Sequence, residues 1–121
     1  LETEILDHVF AGAAYTAPAT KYLALFTAIS DGEAGTVTEL SGSAYARQTV
    51  AFTTSGNTTS NNAAVEFPTA TGSWGTVTHV GVYDAASSGN LMAYATLSSS
   101  KAIATGDVFR VPSGDLDITL N

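Results

Sequence analysis

The spacing of hydrophobic positions changes once along this chain, near residue 15. Before that point Ile5, Leu6, Val9 and Phe10 recur as they would on one face of a helix, and residues 2–11 are predicted to be helical. Glu2, Glu4 and Asp7 lie early in the segment, where carboxylates favour the positive end of the helix dipole, and Gly12 is placed to end it. A helix this short is marginal by itself. Its apolar face, formed by Ile5, Leu6, Val9 and Phe10, must pack on the sheet or on a neighbouring chain, so these four are the candidate docking residues.

Beyond Tyr15 the period becomes that of strands. Lys21–Ala28 is apolar on both faces and reads as a central, doubly covered strand. Ser30–Ser43, rich in Gly, Thr and acids, reads as a long exposed loop. Ala46–Thr53 is a predicted strand with Val50 and Phe52 on one face, Thr54–Asn61 a polar turn region, and Asn62–Phe67 a strand ended by Pro68. Thr69–Gly75 is a loop carrying Trp74. Thr76–Tyr83 and Leu91–Leu97 form the expected hairpin, joined across Ser88-Gly89-Asn90. Turns at Thr105-Gly106-Asp107 and Pro112-Ser113-Gly114 bracket a short strand, Val108–Val111. At the end Leu116, Ile118 and Leu120 are expected inward, with Asp115, Asp117 and Thr119 outward. The expectation is an all-β domain, an antiparallel β-sandwich or jelly-roll-like fold of seven or eight strands with a short N-terminal helix. It is read as one domain, with the helix at 1–12 and the sandwich at 15–121.

Composition narrows the function. At 121 residues the chain can bury a real core. Only 12% of residues are charged, about half the usual share, and Ser and Thr take the solvent-facing strand positions instead. The net charge is −7, and the four cations, Lys21, Arg47, Lys101 and Arg110, are scattered. They cannot neutralise a run of phosphates, which argues against nucleic-acid binding. There is no cysteine, hence no disulfide and no thiolate metal site. No apolar run reaches the roughly 20 residues needed to span a bilayer, so membrane insertion is not expected. Acids stand where a signal peptide would carry basic residues, so the opening is not read as a targeting segment.

Candidate chemistry is sparse. His8 and His79 are the two histidines, and no Gly-x-Ser-x-Gly elbow accompanies them. Asp31-Gly32-Glu33 and Asp84–Asn90 are the best loops for a calcium ion, but turn chemistry accounts for both. Asp115 and Asp117 share one face of the last strand, where charge deters edge-to-edge pairing. Three residues remain as ligand or partner contacts. Trp74 lies in a Gly-flanked loop and serves either as a stacking platform or as a corner of the core; Tyr45 could join such a platform. Arg47, in a cation-poor chain, calls for a bidentate carboxylate partner: Glu39, or an acid on another subunit.

The segments Leu6-Asp7-His8-Val9-Phe10, Ala17-Pro18-Ala19-Thr20-Lys21-Tyr22-Leu23-Ala24-Leu25-Phe26-Thr27 and Gly42-Ser43-Ala44-Tyr45-Ala46-Arg47-Gln48 resemble a family of small tailed-bacteriophage virion proteins, commonly labelled phage tail fibre proteins. So do Ala63-Ala64-Val65-Glu66-Phe67-Pro68, Trp74-Gly75-Thr76-Val77-Thr78-His79-Val80-Gly81-Val82-Tyr83-Asp84 and Gly106-Asp107. The likeness runs in order over nearly the whole chain. The family's Gly-rich loop before Tyr45-Ala46-Arg47 is only partly kept here. The resemblance implies a virion structural protein on the tail or capsid exterior, assembled in the host bacterial cytoplasm, with no enzymatic activity and no cofactor. Its implied partners are other phage virion proteins, further copies of itself as a homotrimer or other homo-oligomer, and a host-surface glycan. A tail-associated fibre or tip component is the first expectation. A capsid decoration (cement) protein and a free carbohydrate-binding module are the alternatives.

Overall fold

The computed structural model describes residues 2–32 and 34–119. It is an antiparallel β-sandwich preceded by one helix, α1 (Glu2–Phe10). Among the described residues ten strands follow: β1 (Lys21–Asp31), β2 (Thr36–Glu39), β3 (Gln48–Val50), β4 (Phe52–Ser55), β5 (Thr58–Asn61), β6 (Val65–Glu66), β7 (Gly75–Tyr83), β8 (Leu91–Ile103), β9 (Arg110–Val111) and β10 (Asp117–Thr119). The principal sheet runs β2-β1-β7-β8, with β3 also paired to β1; β10-β5-β4 and β6-β9 make the opposing layer.

The core follows from strand alternation. Leu23 and Leu25 of β1, with Val80 and Val82 of β7, face the second layer and meet Val65, Phe67 and Phe109 there. Ala24 and Phe26, the intervening residues of β1, join Tyr83 on the other face. All four β1 residues are fully buried, as expected of a doubly covered strand. Gly81 is needed on that second face: a Cβ there would lie 2.6 Å from the Phe26 ring and 2.7 Å from Leu91.

Several sequence expectations change at this level. The 30–43 segment is not one long loop. β1 runs on to Asp31 and β2 pairs back on it, from Asp31↔Thr36 to Phe26↔Glu39; alternation around Val37 was masked by the Gly and acid content. The single strand expected at Ala46–Thr53 is two. β3 pairs with β1 and β4 with β5, so the chain leaves one layer for the other at Ala51. Thr54–Asn61 is a hairpin rather than a turn region, closed by Gly56 at φ +62 in the first loop position. The 62–67 strand shrinks to Val65–Glu66. These breaks raise the strand number from the expected seven or eight to ten. The 76–83 hairpin with 91–97 is present, but β8 continues to Ile103 through a bulge at which Val77 faces Lys101 and His79 faces Thr96. Leu116 and Ile118 are half-buried while Asp115, Asp117 and Thr119 are exposed; Leu120 lies outside the described residues.

Helix α1 forms where expected. Its last turn closes through Ala11 N–H donating to the Asp7 carbonyl (3.1 Å), with Gly12 at φ +73 beyond it. Its apolar face does not pack on the sheet. Leu6, Val9 and Phe10 are 57%, 60% and 82% exposed, and Ile5 is half-buried.

Candidate functional site

One edge of β1 carries an unusual construction. β2 covers Phe26–Asp31 and β3 covers Lys21–Leu23, leaving a gap at Leu25. Leu40 N–H reaches the Leu25 carbonyl (3.1 Å), and among the described residues neither β2 nor β3 pairs with Leu25. The Tyr45 hydroxyl accepts from Leu25 N–H instead (3.1 Å), and donates in turn to Glu39 Oε2 (2.7 Å). Glu39 is held in a bidentate grip by Arg47, whose Nε lies 2.8 Å from Oε2 and whose Nη2 lies 2.8 Å from Oε1. Arg47 Nη1 donates to the carbonyls of Ala85 (2.9 Å) and Ser88 (2.7 Å). The guanidinium carbon sits 3.6 Å from the centre of the Tyr83 ring. One side chain thus ties the end of β2, the start of β3 and the 84–90 loop.

The electrostatics agree with this geometry. Burial pushes the Glu39 carboxyl up, but hydrogen bonds from Arg47 and Tyr45 outweigh it and hold Glu39 below its ordinary value. Burial, then the Glu39 carboxylate, raise the Tyr45 phenol. Of the two partners foreseen for Arg47, the structure provides Glu39, and the Arg47 side chain is only 6% exposed. Four of its five N–H groups are engaged within the chain. Arg47 is therefore a strut, with little left for a ligand.

Tyr45→Phe should cost about 1–3 kcal/mol, because it strands the Leu25 N–H at a fully buried residue and removes one donor from Glu39. Denaturant unfolding would measure it, and a loss within a few tenths of a kcal/mol would show that water replaces the phenol.

Trp74 is part of the core rather than a platform. It is 5% exposed, crosses the Tyr45 ring edge-on at 5.6 Å, and donates through Nε1 to the Ser43 carbonyl (2.8 Å). Tyr45 in turn stacks on Phe67 (6.1 Å), and Phe67 meets Phe109 edge-on (5.8 Å). A stacking platform needs a free ring face, and these rings spend theirs on each other. The same contacts explain the backbone at Ser43 and Ala44, which hold left-handed φ values of 52° and 70°. The Ser43 carbonyl is pinned by both Trp74 Nε1 and Thr71 N–H (3.1 Å).

The remaining candidates are also accounted for. His8 Nδ1 bonds the Ala13 carbonyl at the helix end (2.9 Å), and His79 Nδ1 pairs with its neighbour Thr78 (2.7 Å). Asp84 accepts from the backbone N–H and side-chain amide of Asn90 (2.7 and 2.9 Å), which clasps its loop and holds its carboxyl below the ordinary range. Glu33, in the other acidic loop, lies outside the described residues. Among the described residues no three His, Asp or Glu side chains gather as metal ligands, and no helix is long and apolar enough to cross a membrane. A polar cleft of about 430 Å³ lies beside the 84–90 loop, bordered by Glu4, Tyr15, Arg47 and Asn90.

Asn61 was missed in the sequence. It looked like one more turn residue in a Ser/Thr/Asn run, yet its side chain is among the most buried in the protein. Nothing in the local pattern distinguishes it from Asn57 or Asn62.

No curated protein matches the chain. Residues 1–119 match the family described as podophage GP4 fiber I protein gp80. Over all but its last residues, then, the chain belongs to this podophage family of fibre proteins.

Proposed function

We infer that the protein is a non-enzymatic structural subunit of the phage tail-fibre apparatus, held in the particle by docking of α1 on a neighbouring subunit, with its β-sandwich turned toward the host surface. The carrying observation is the helix. A nine-residue helix is marginal alone, and Leu6, Val9 and Phe10 are exposed rather than packed on the sandwich. An exposed apolar stripe of this kind marks a surface that meets another protein. The Ser- and Thr-rich strands, by contrast, are suited to remain in water.

Phe10→Asp tests this reading. At 82% exposure, the change should leave the thermal midpoint of the isolated chain within about 2 °C, since surface changes stay within roughly 0.5 kcal/mol. It should strongly reduce incorporation into particles, because a carboxylate cannot be buried in an apolar contact. Particles carrying wild-type amounts of the variant would overturn the docking role. Cryo-electron microscopy of the intact particle completes the test. Density on the tail fibres agrees with the proposal, and density on the capsid shell would make the protein a decoration subunit.

A further inference from the structure

The sandwich is open along one side. There the edge strand β8 and the β9–β10 segment leave a groove of about 470 Å³ between the layers. Its floor is apolar, with Val80, Leu97, Phe109 and Leu116 contributing, and Val80 and Phe109 belong to the main core. Its rim holds Lys101 and Arg110, half of all the cations in the chain. The other two are engaged: Arg47 with Glu39, and Lys21 with the Pro18 carbonyl (3.2 Å). Among the described residues, neither Lys101 nor Arg110 makes an ion pair. Asp115 and Asp117 share the rim, so it is electrically balanced where the chain as a whole is strongly acidic; Asp117 also accepts from the Ser60 hydroxyl.

The same chain exposes an element with the complementary character. α1 presents Leu6, Val9 and Phe10 beside the carboxylates Glu4 and Asp7. It does not occupy its own groove. Glu4 borders the separate cleft at the 84–90 loop, and the two openings share no lining residue. Resting on the docking role given to α1 above, we propose that the groove between β8 and the β9–β10 segment receives helix α1 of a second copy of this chain. Apolar side chains of the helix enter the floor, and its carboxylates meet Lys101 and Arg110. The contact is between two different surfaces, so it closes by reciprocal exchange of helices or by a ring. Elsewhere the net negative charge of the chain opposes self-association, whereas the balanced rim lets the apolar floor and its two cations receive the helix.

The chain lacks cysteine, so a pair of introduced thiols reports the contact cleanly. A full-length Val9→Cys chain is mixed with a full-length Ser98→Cys chain under mild oxidant. Both positions are exposed, and Ser98 lines the groove. The expected result is a disulfide-linked species of twice the chain mass containing one copy of each variant. It should be lost when the Val9→Cys chain also carries Phe10→Asp. Asn57→Cys, exposed in the β4–β5 turn, is the control and should link only at the background level. Equal linkage at Ser98 and Asn57, or linkage of Val9 only to Val9, would overturn the proposal. So would absence of linkage while Phe10→Asp still blocks particle incorporation; that outcome means α1 docks on a different virion protein and leaves the proposed function standing.

Discussion

Asn61→Asp is expected to be the most damaging single-atom change in this protein. The Asn61 side chain is 1% exposed. Its Oδ1 accepts from Gly114 N–H (3.1 Å) and Leu116 N–H (2.9 Å), while Nδ2 donates to the carbonyls of Ala63 (3.0 Å) and Pro112 (2.9 Å). Backbone bonds reinforce the same junction: Asn61 N–H to the Leu116 carbonyl (3.1 Å), and Gly114 N–H to the Asn61 carbonyl (2.9 Å). One side chain therefore ties the end of β5 to the turns before β6 and β10. Replacing the amide nitrogen by oxygen keeps the shape but points a buried carboxylate oxygen at two carbonyls. Two donors are lost, each worth about 1–3 kcal/mol when its partner is stranded in the interior, and a charge is buried without a cation. The expected cost is on the order of 4 kcal/mol, a large part of a typical domain's stability, with the thermal midpoint falling by roughly 10–20 °C. The introduced group should bind a proton in the fold more readily than when unfolded, so the deficit should shrink as pH falls. Calorimetry at two pH values reads both effects, and a drop of only a degree or two would show that water enters the site and replaces the amide.

Arg47→Ala should cost a comparable amount, about 3–5 kcal/mol, because Glu39 is left half-buried without its cation and the carbonyls of Ala85 and Ser88 lose their donor. Arg47→Lys should rescue little of this: one ammonium cannot grip both carboxylate oxygens, reach two carbonyls and lie over Tyr83 together. If the loss comes from the stranded charge, replacing both partners with apolar residues, Arg47→Met with Glu39→Leu, should recover much of it. A double variant no better than Arg47→Ala would place the loss in the loop contacts instead. The pair also sets an acid limit. Glu39 titrates lower in the fold than its unfolded value of 4.5. Its contribution is thus fully present above that pH and is lost as pH falls through the lower folded value. The slope of stability against pH below about 4.5 should flatten in Glu39→Gln.

These two sites differ in how far they could be read beforehand. Arg47 stood out because cations are rare here, and Glu39 was one of its two foreseen partners; scarcity made the pairing legible. Asn61 sits among similar polar residues in Thr58–Asn62, and only the return of the 112–116 segment makes it central. Trp74 left two readings open because a loop tryptophan flanked by glycine looks alike in a core corner and in a binding face. The Tyr45 and Phe67 rings, remote in sequence, decided it.

The helix at the start, the all-β class, the doubly buried β1 and the hairpin of β7 with β8 could all be read from the order of residues alone. All of these follow from local periodicity and turn chemistry, which act over a few residues. Long-range packing sets the rest: β2 and β3 share one edge of β1, the chain changes layers at Ala51, and Tyr45 fills the missing place beside Leu25. It also leaves the apolar face of α1 unpacked against its own sandwich. Those outcomes depend on which distant surfaces meet, and a pattern of apolar and polar positions says which face of an element wants burial without naming what will bury it.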